Sequence, residues 1–422
     1  MKNRYLKRIL DKEVELALKT SGAVLIEGPK WCGKTRTAEE HAASAIYMQD
    51  VKNRNYYAKV LDTDPSMLLD GKTPRLIDEW QTAPILWDGV RFAVDQRSKP
   101  GQFILTGSAV PSDDAILHSG TGRIARLLMR PMSLFESMES SGDVSLRSLF
   151  DGNDIKGTSP LEIKDIAFAL ARGGWPASVG TEDRFALRHA YDYVNGVINS
   201  DISRVDGVSR DPARVERLMM SLARNVSSIA NMETILCDVA GNDLGDINSN
   251  KTVYKYMEAL RRIFVIEDQP AWNPNMRSKT VLRSAAKRHF TDPSIAVALL
   301  GASPEGLMKN YDTFGLLFES MCIRDLRIYA QSMYGRVFHY RDKNDLEADA
   351  IISLRDGRWA AVEVKMGSKG IEDGIKNLKK LKDKVDTEKM GKPSFLAVMT
   401  ASPYAYRIED GIYVVPIGCL RD

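Results

Sequence analysis

Residues 28–35 read Gly28-Pro29-Lys30-Trp31-Cys32-Gly33-Lys34-Thr35, directly after the apolar run Ala23-Val24-Leu25-Ile26 and before a helix-like segment from Arg36 onward. The spacing Gly28, Gly33, Lys34, Thr35 fits the phosphate-binding loop G-x-x-x-x-G-K-[ST]. Glycines let backbone N–H groups curl around an anion, and the following helix offers its positive N-terminal end to phosphate oxygens. In that pattern the lysine reaches the β- and γ-phosphates and the hydroxyl holds Mg²⁺. The stretch therefore nominates Gly28, Pro29, Lys30, Trp31, Cys32, Gly33, Lys34, Thr35 and Arg36 as nucleotide-binding residues, with Lys34 also catalytic and Thr35 a metal ligand.

Working outward, Arg75-Leu76-Ile77-Asp78-Glu79 is an apolar strand ending in adjacent carboxylates. Behind a phosphate loop, the first carboxylate (Asp78) holds hydrated Mg²⁺ and the second (Glu79) polarises the attacking water. Phe103-Ile104-Leu105-Thr106-Gly107-Ser108 supplies another buried strand, whose terminal hydroxyls Thr106 and Ser108 either sense the γ-phosphate or orient the water, or mark an ordinary strand-to-turn step. Ser44–Tyr47 reads as one more strand. Helical spacing is expected over residues 1–20, with Leu6, Ile9, Leu10 and Val14 on one face, and over 80–94 through Ile85, Val90 and Val94. Alternating strands and helices predict an α/β fold: a parallel sheet with helices on both faces and phosphate chemistry at the carboxyl ends of its strands. The loop 118–123 ends in Arg123, either an arginine that stabilises charge on a phosphoryl group bound by a neighbouring copy, in trans, or a solvated loop arginine.

A chain of 422 residues exceeds one ordinary core and calls for two to four domains. The net charge of +3 argues against a wholesale nucleic-acid coat and leaves room for local basic faces. Cys32, Cys237, Cys322 and Cys419 lack the spacing of a metal site or disulfide framework, and read as thiols of a reducing compartment. Cys32 alone stands where oxidation would block nucleotide; a filler position is the plainer reading. No apolar run has membrane-spanning length and the N-terminus lacks a signal core, so the expectation is a cytoplasmic protein without membrane contact.

The motifs YLKRIL (5–10), GPKWCGKT, LIDEWQ (76–81), FILTGSA (103–109) and the Gly122-Arg123 that precedes a strand ending in Arg130-Pro131 together resemble a family of bacterial and archaeal AAA+-type ATPases. The resemblance continues through RGGWP (172–176), the helix containing Asp201, and IYVVPIGCL (412–420). It implies ATP with Mg²⁺ as cofactors, self-assembly into a homo-oligomer (a ring or spiral) completed by Arg123, and a helical lid over the nucleotide. Asp201 and Arg204 either face the nucleotide module or form an exposed ion pair. The asparagine common at the third strand end in AAA+ proteins is replaced here by Thr106 and Ser108. No guanine-specific N-K-x-D string is present.

Gly142–Pro160 is rich in Gly, Ser and Asp and marks the first expected boundary. Residues 215–226, 232–239 and 252–263 read as three helices, the third capped by Asn248-Ser249-Asn250 with Val253, Met257 and Leu260 inward, and Phe264-Val265-Ile266 opens a strand. That order resembles a winged helix-turn-helix, in which Lys251, Lys255, Arg261 and Arg262 would meet DNA phosphates; a packing adaptor with a solvated basic face is the alternative. Further on, Glu347-Ala348-Asp349 and Val362-Glu363-Val364-Lys365 lie on two strands joined by Arg355-Asp356-Gly357. Alternation puts Glu363 and Lys365 on one face. The D…E-x-K pattern resembles the restriction-endonuclease-like superfamily, although Ala348 stands where proline is frequent. By that resemblance Asp349 and Glu363 would bind a second divalent metal, Lys365 would position a hydroxide, and Glu319 on the preceding helix would assist, with the lysine-rich helix 371–385 lining a nucleic-acid path.

The domains expected are an ATPase module at 1–150, a helical lid at 151–208, a winged-helix-like part at 209–300 and a restriction-endonuclease-like α/β part at 301–422. The function expected is Mg²⁺-dependent ATP hydrolysis that controls DNA-interacting domains. Two other readings remain open: a nucleotide-gated switch or scaffold with a silent nuclease-like domain, and a metal-dependent nuclease regulated by ATP.

Overall fold

The computed structural model describes residues 5–110, 119–240, 250–273, 285–408 and 410–422. The chain forms two compact units: one built from residues up to Pro131 together with Asn199–Arg210 and Lys255–Val265, the other from Met132–Ile198, Asp211–Tyr254 and Ile266–Asp422. This differs from four consecutive domains. The step between units falls at Pro131, before the Gly/Ser/Asp-rich stretch, and residues 163–198 of the expected lid belong to the second unit.

The first unit is a five-stranded sheet of β1 (Ala23–Glu27), β2 (Ser44–Tyr47), β3 (Arg75–Asp78), β4 (Phe103–Gly107) and β5 (Ile124–Leu128), in the order β2-β3-β4-β1-β5. Every pairing is parallel. Period-two alternation explains the layers. Val24, Ile26, Leu76 and Ile104 turn to one face and meet Leu10, Val14 and Ala17 of helix Leu10–Thr20 and Ala38 of helix Lys34–His41. Leu25, Ile77, Phe103 and Leu105 turn to the other, against Leu86, Trp87, Val90 and Val94 of helix Ile85–Arg97. Two helical expectations are corrected. Residues 5–8 are not helical; Arg8 N–H instead donates to Asp11 at 2.9 Å, which starts the helix at Leu10. Ile85 opens its helix but is 54% exposed, while Trp80, in a short 3₁₀ turn, is buried.

The second unit holds a seven-stranded mixed sheet of β7 (Gly157–Thr158), β8 (Arg336–Arg341), β9 (Glu347–Ser353), β10 (Trp359–Lys365), β11 (Leu396–Thr400), β12 (Tyr404–Arg407) and β13 (Tyr413–Pro416). The order is β7-β12-β13-β11-β10-β9-β8. β8, β9 and β10 form an antiparallel meander, and the amphipathic helix Ser368–Lys384 carries the chain across to β11, parallel to β10. β6 (Val144–Ser145) pairs with β14 (Leu420–Arg421) apart from that sheet.

The RGGWP string is a structural junction. Arg172 makes a bidentate pair with Glu139 at 2.7 Å on both oxygens. A Cβ at Gly174 would lie 2.1 Å from the Met132 carbonyl, and the indole of Trp175 donates to Ser294. The three helices expected at 215–226, 232–239 and 252–263 are Pro212–Arg224, Met232–Ala240 and Asn250–Arg262, with Val253, Met257 and Leu260 buried. The expected cap at residues 248–249 lies outside the described residues. In place of a wing strand at 264–266, two isolated bridges join Ile266 to Phe290 and Gln269 to Lys287.

Candidate functional site

In the first unit the loop after β1 is shaped by two glycines with positive φ, Gly28 at 154° and Gly33 at 102°. A side chain at Gly28 would strike the Met129 carbonyl at 2.1 Å. The buried Lys34 ammonium donates to the carbonyls of Gly28 (3.0 Å) and Pro29 (2.7 Å), so its charge lies inside the curl of the loop. Cys32 is packed beneath, its thiol directed at the Met129 carbonyl, which favours the filler reading over a redox role. Trp31 is 52% exposed, and Arg36 pairs with Glu39 and Glu40 of its own helix.

The strand-end carboxylates meet this loop. The Thr35 hydroxyl donates to Asp78 Oδ1 at 2.7 Å, and the Thr106 hydroxyl donates to the same oxygen at 2.6 Å. Thr106 Oγ1 also accepts the Glu79 N–H at 3.0 Å. Burial lifts the Asp78 carboxyl above its ordinary range while the two threonine hydroxyls pull it back. Glu79 takes a left-handed conformation, φ 55°, uncommon for a residue with a side chain. Its carboxylate accepts from Ser108 at 2.9 Å and from the Gln81 amide. The donor set of one hydroxyl and one carboxylate oxygen, side by side next to a loop that encloses a lysine ammonium, suits hydrated Mg²⁺ and a polyphosphate.

Three further contacts were not read from the sequence or only half read. Buried Arg8 donates to the Cys32 carbonyl at 2.8 Å and to the Arg130 carbonyl at 2.7 Å, tying the loop to the far end of β5. The YLKRIL string carried that residue without revealing its partners. Gln81, inside LIDEWQ, braces Glu79. Asp201 pairs with Lys30 of the loop at 2.6 Å, which supports the first of its two sequence readings. Arg123 lies at the amino end of β5, where its carbonyl accepts the Ala23 N–H, and its guanidinium pairs with Asp95 at 2.6 Å. Five residues of β1 separate it from the phosphate loop, about 16 Å along the strand, so it does not serve its own copy's site.

The second unit has its own charged cleft of about 580 Å³, lined in part by Lys287, Glu319, Arg341, Asp349 and Lys365. Glu319, Asp349, Glu363 and Lys365 do come together. Lys365 Nζ lies 2.9 Å from Glu363 and 4.0 Å from Asp349, whose Oδ2 accepts the Val364 N–H at 2.9 Å. The sequence reading missed Lys287, which donates to Glu319 at 2.9 Å and to Asp349 at 3.1 Å. Burial pulls its ammonium down, but the Asp349 and Glu319 charges outweigh that and hold it above its ordinary range. Burial and Asp349 push Glu319 up to about 8 and Glu363 to about 7. Three carboxylates face two ammonium groups, so the cluster carries an excess of negative charge that works with burial to raise Glu319 and Glu363. Lys287 and Lys365 thus lie against the carboxylates to which the resemblance would assign a metal. The lysine-rich helix is likewise engaged in part, with Lys379 on Asp410 and Lys384 on Asp342.

Behind this cleft, buried His339 on β8 donates through Nε2 to the Ala285 carbonyl at 3.0 Å, and Nδ1 has no partner among the described residues. Burial, with help from Lys287 and Arg341, depresses it to about 4, against a bond to Ala285 that raises it. Because the folded value is below the unfolded one, its stabilising contribution is complete above pH 6.5 and is lost as pH falls toward 4, roughly 3 kcal/mol in all. Glu319 and Glu363 act with the opposite sign, since raised carboxyl values favour the folded state at low pH. The expected result is that His339→Gln flattens the fall in melting temperature between pH 6.5 and 4.5 relative to the unaltered protein.

Residues 20–138 match the family model described as an AAA domain. Beyond it, residues 163–306 and 314–420 match two domains of unknown function, DUF8612 and DUF4143. Two mycobacterial proteins described as uncharacterized, from Mycobacterium bovis and Mycobacterium tuberculosis, are each 25% identical over 366 residues, covering 83% of this chain and 72% of theirs. Among solved structures, the Walker-type ATPase paby2304 of Pyrococcus abyssi is similar at a TM-score of 0.44 and 15% identity, covering 71% of this chain and 97% of that one. The Aeropyrum pernix ORC2 protein is similar at 0.32 and 10%, with the same coverage. The matched segment contains strands β1 to β5 and the residues Lys34, Asp78 and Glu79. No described helix is long and apolar enough to cross a membrane.

Proposed function

We propose that this chain is an Mg²⁺-dependent ATPase whose nucleotide state governs its second unit. The observation that carries this reading is the convergence of Thr35 and Thr106 on one oxygen of Asp78, with Glu79 held next to it. Lys34 would bind the phosphates, Thr35 and Asp78 would hold the metal, and Glu79 would orient a water and take its proton. Bound Mg²⁺ supplies charge neutralisation at the phosphates. Thr106 fixes the Asp78 rotamer and the Glu79 backbone, and Ser108 and Gln81 restrain the Glu79 carboxylate. Lys30–Asp201 gives residues 199–210 a direct hold on the loop, a route by which phosphate binding is felt outside the sheet.

In this reading the protein self-associates and Arg123 acts in trans, released from Asp95 when a neighbour's phosphate is near. DNA is the partner favoured for the remainder, through exposed Lys251 and Lys255; Arg262 instead donates to the Val110 carbonyl and Arg261 pairs with Glu258. The test is ATP turnover with Mg²⁺ and with EDTA, run alongside DNA binding with and without nucleotide. Turnover insensitive to EDTA would overturn the metal assignment. Mixing Arg123→Ala with Lys34→Ala chains should restore part of the activity each lacks, and absence of rescue removes the trans role. The switch or scaffold reading is favoured over the nuclease one by Lys287 in the acidic cleft; in that case nucleotide changes assembly without DNA cleavage.

A further inference from the structure

Lys287 reaches the acidic cleft from a segment independent of the strands that carry Asp349, Glu363 and Lys365. Its backbone is fixed by two hydrogen bonds with Gln269, at 3.0 and 2.9 Å. The Gln269 side chain in turn donates to the Asp349 carbonyl at 2.9 Å and to the Phe338 carbonyl at 3.0 Å. The lysine is therefore anchored to the same strand whose carboxylate it neutralises, and its side chain is 5% exposed. Its ammonium lies between Glu319 and Asp349, the two oxygens a cation on this face would bridge. Magnesium binds carboxylate oxygens at about 2.0–2.1 Å and manganese shares its preference for oxygen donors. Neither ion can share that position with a fixed positive charge. Lys365 engages Glu363 in the same way, and among the described residues no group of three or more His, Cys, Asp or Glu is disposed to hold a metal.

We propose that Lys287 is the resident cation of this cleft: the acidic cluster of the second unit is assembled around a protein ammonium in place of a divalent metal ion. The cleft then keeps its carboxylates ordered in the absence of metal and lacks the means to generate a metal-bound hydroxide. It is a preassembled surface of balanced charge. Removing the ammonium, while the carboxylates stay on their strands, converts the cleft into a cation site.

The experiment is Mn²⁺ titration of the full chain without nucleotide, read from the electron paramagnetic resonance of free Mn²⁺. The unaltered protein and Asp349→Asn should bind the same amount. Lys287→Ala should bind one further Mn²⁺ per chain, and Lys287→Ala combined with Asp349→Asn should lose it. An ion bound by the unaltered protein and lost in Asp349→Asn overturns the proposal, as does a folded Lys287→Ala chain that gains none. Should Lys287→Ala fail to fold, Lys287→Met keeps the aliphatic stem. Its melting temperature should rise with Mn²⁺ while that of the unaltered protein does not; no rise overturns the proposal. Because no nucleotide is present, failure of the ATPase reading leaves this outcome unaffected.

Discussion

Lys34→Ala should bring ATP turnover to below ~1% of the unaltered protein and remove most nucleotide binding, the scale of loss seen when a fixed donor to developing charge is deleted. The ammonium is 5% exposed and held by two carbonyls of its own loop, so it is positioned before any phosphate arrives. The loop has further ties besides the lysine. Arg8 still holds the Cys32 carbonyl, and Gly28 still lies against Met129. The variant should therefore fold, with its circular dichroism unchanged, and fail only where phosphate is bound. Full turnover in a folded Lys34→Ala protein would sink the ATPase assignment.

Glu79→Gln should separate binding from hydrolysis. The Thr35–Asp78 pair is untouched, so ATP and Mg²⁺ should bind with little change. The amide cannot take a proton from water, and turnover should fall by ~10²–10⁴-fold, the usual contribution of a general base. Glutamine preserves the length that reaches Ser108 and Gln81. A loss of binding equal to the loss of turnover, measured by titration with a fluorescent ATP analogue, would assign Glu79 to structure.

The candidate nucleotide site was legible as an arrangement because its residues stand in short contiguous strings placed at strand ends. Strand registry then brings Thr106 to Asp78 and Ser108 to Glu79. What stayed hidden depends on partners far away in the chain. Arg8 is one basic residue among several near the start, and nothing local shows that it binds carbonyls of residues 32 and 130. Lys287 lies in a segment with no motif, and only the folded second unit brings it between Glu319 and Asp349. The hairpin D…E-x-K pattern was readable, but the cation it meets was not. The step at Pro131 carries no periodic signal of its own, since β6 and β7 beyond it are two-residue strands. Helical spacing over 80–94 likewise does not reveal that Ile85 faces solvent.

The pairing of β6 with β14 sets an order of events during synthesis. Ser145 bonds the Asp422 carbonyl across 277 residues, and Phe150 meets Phe395 edge-on at 5.1 Å. At a synthesis rate of ~5–20 residues per second, segment 144–150 emerges roughly 15–55 s before its last partner. Through that interval Leu146, Leu149 and Phe150, all buried in the finished protein, have no strand or ring of the closing segment to cover them. The β1–β5 sheet, by contrast, is complete once residue 128 has been made. In the growing chain the β1–β5 sheet is therefore finished while the apolar seam at residues 146–150 stays open until residues 395–422 have been made.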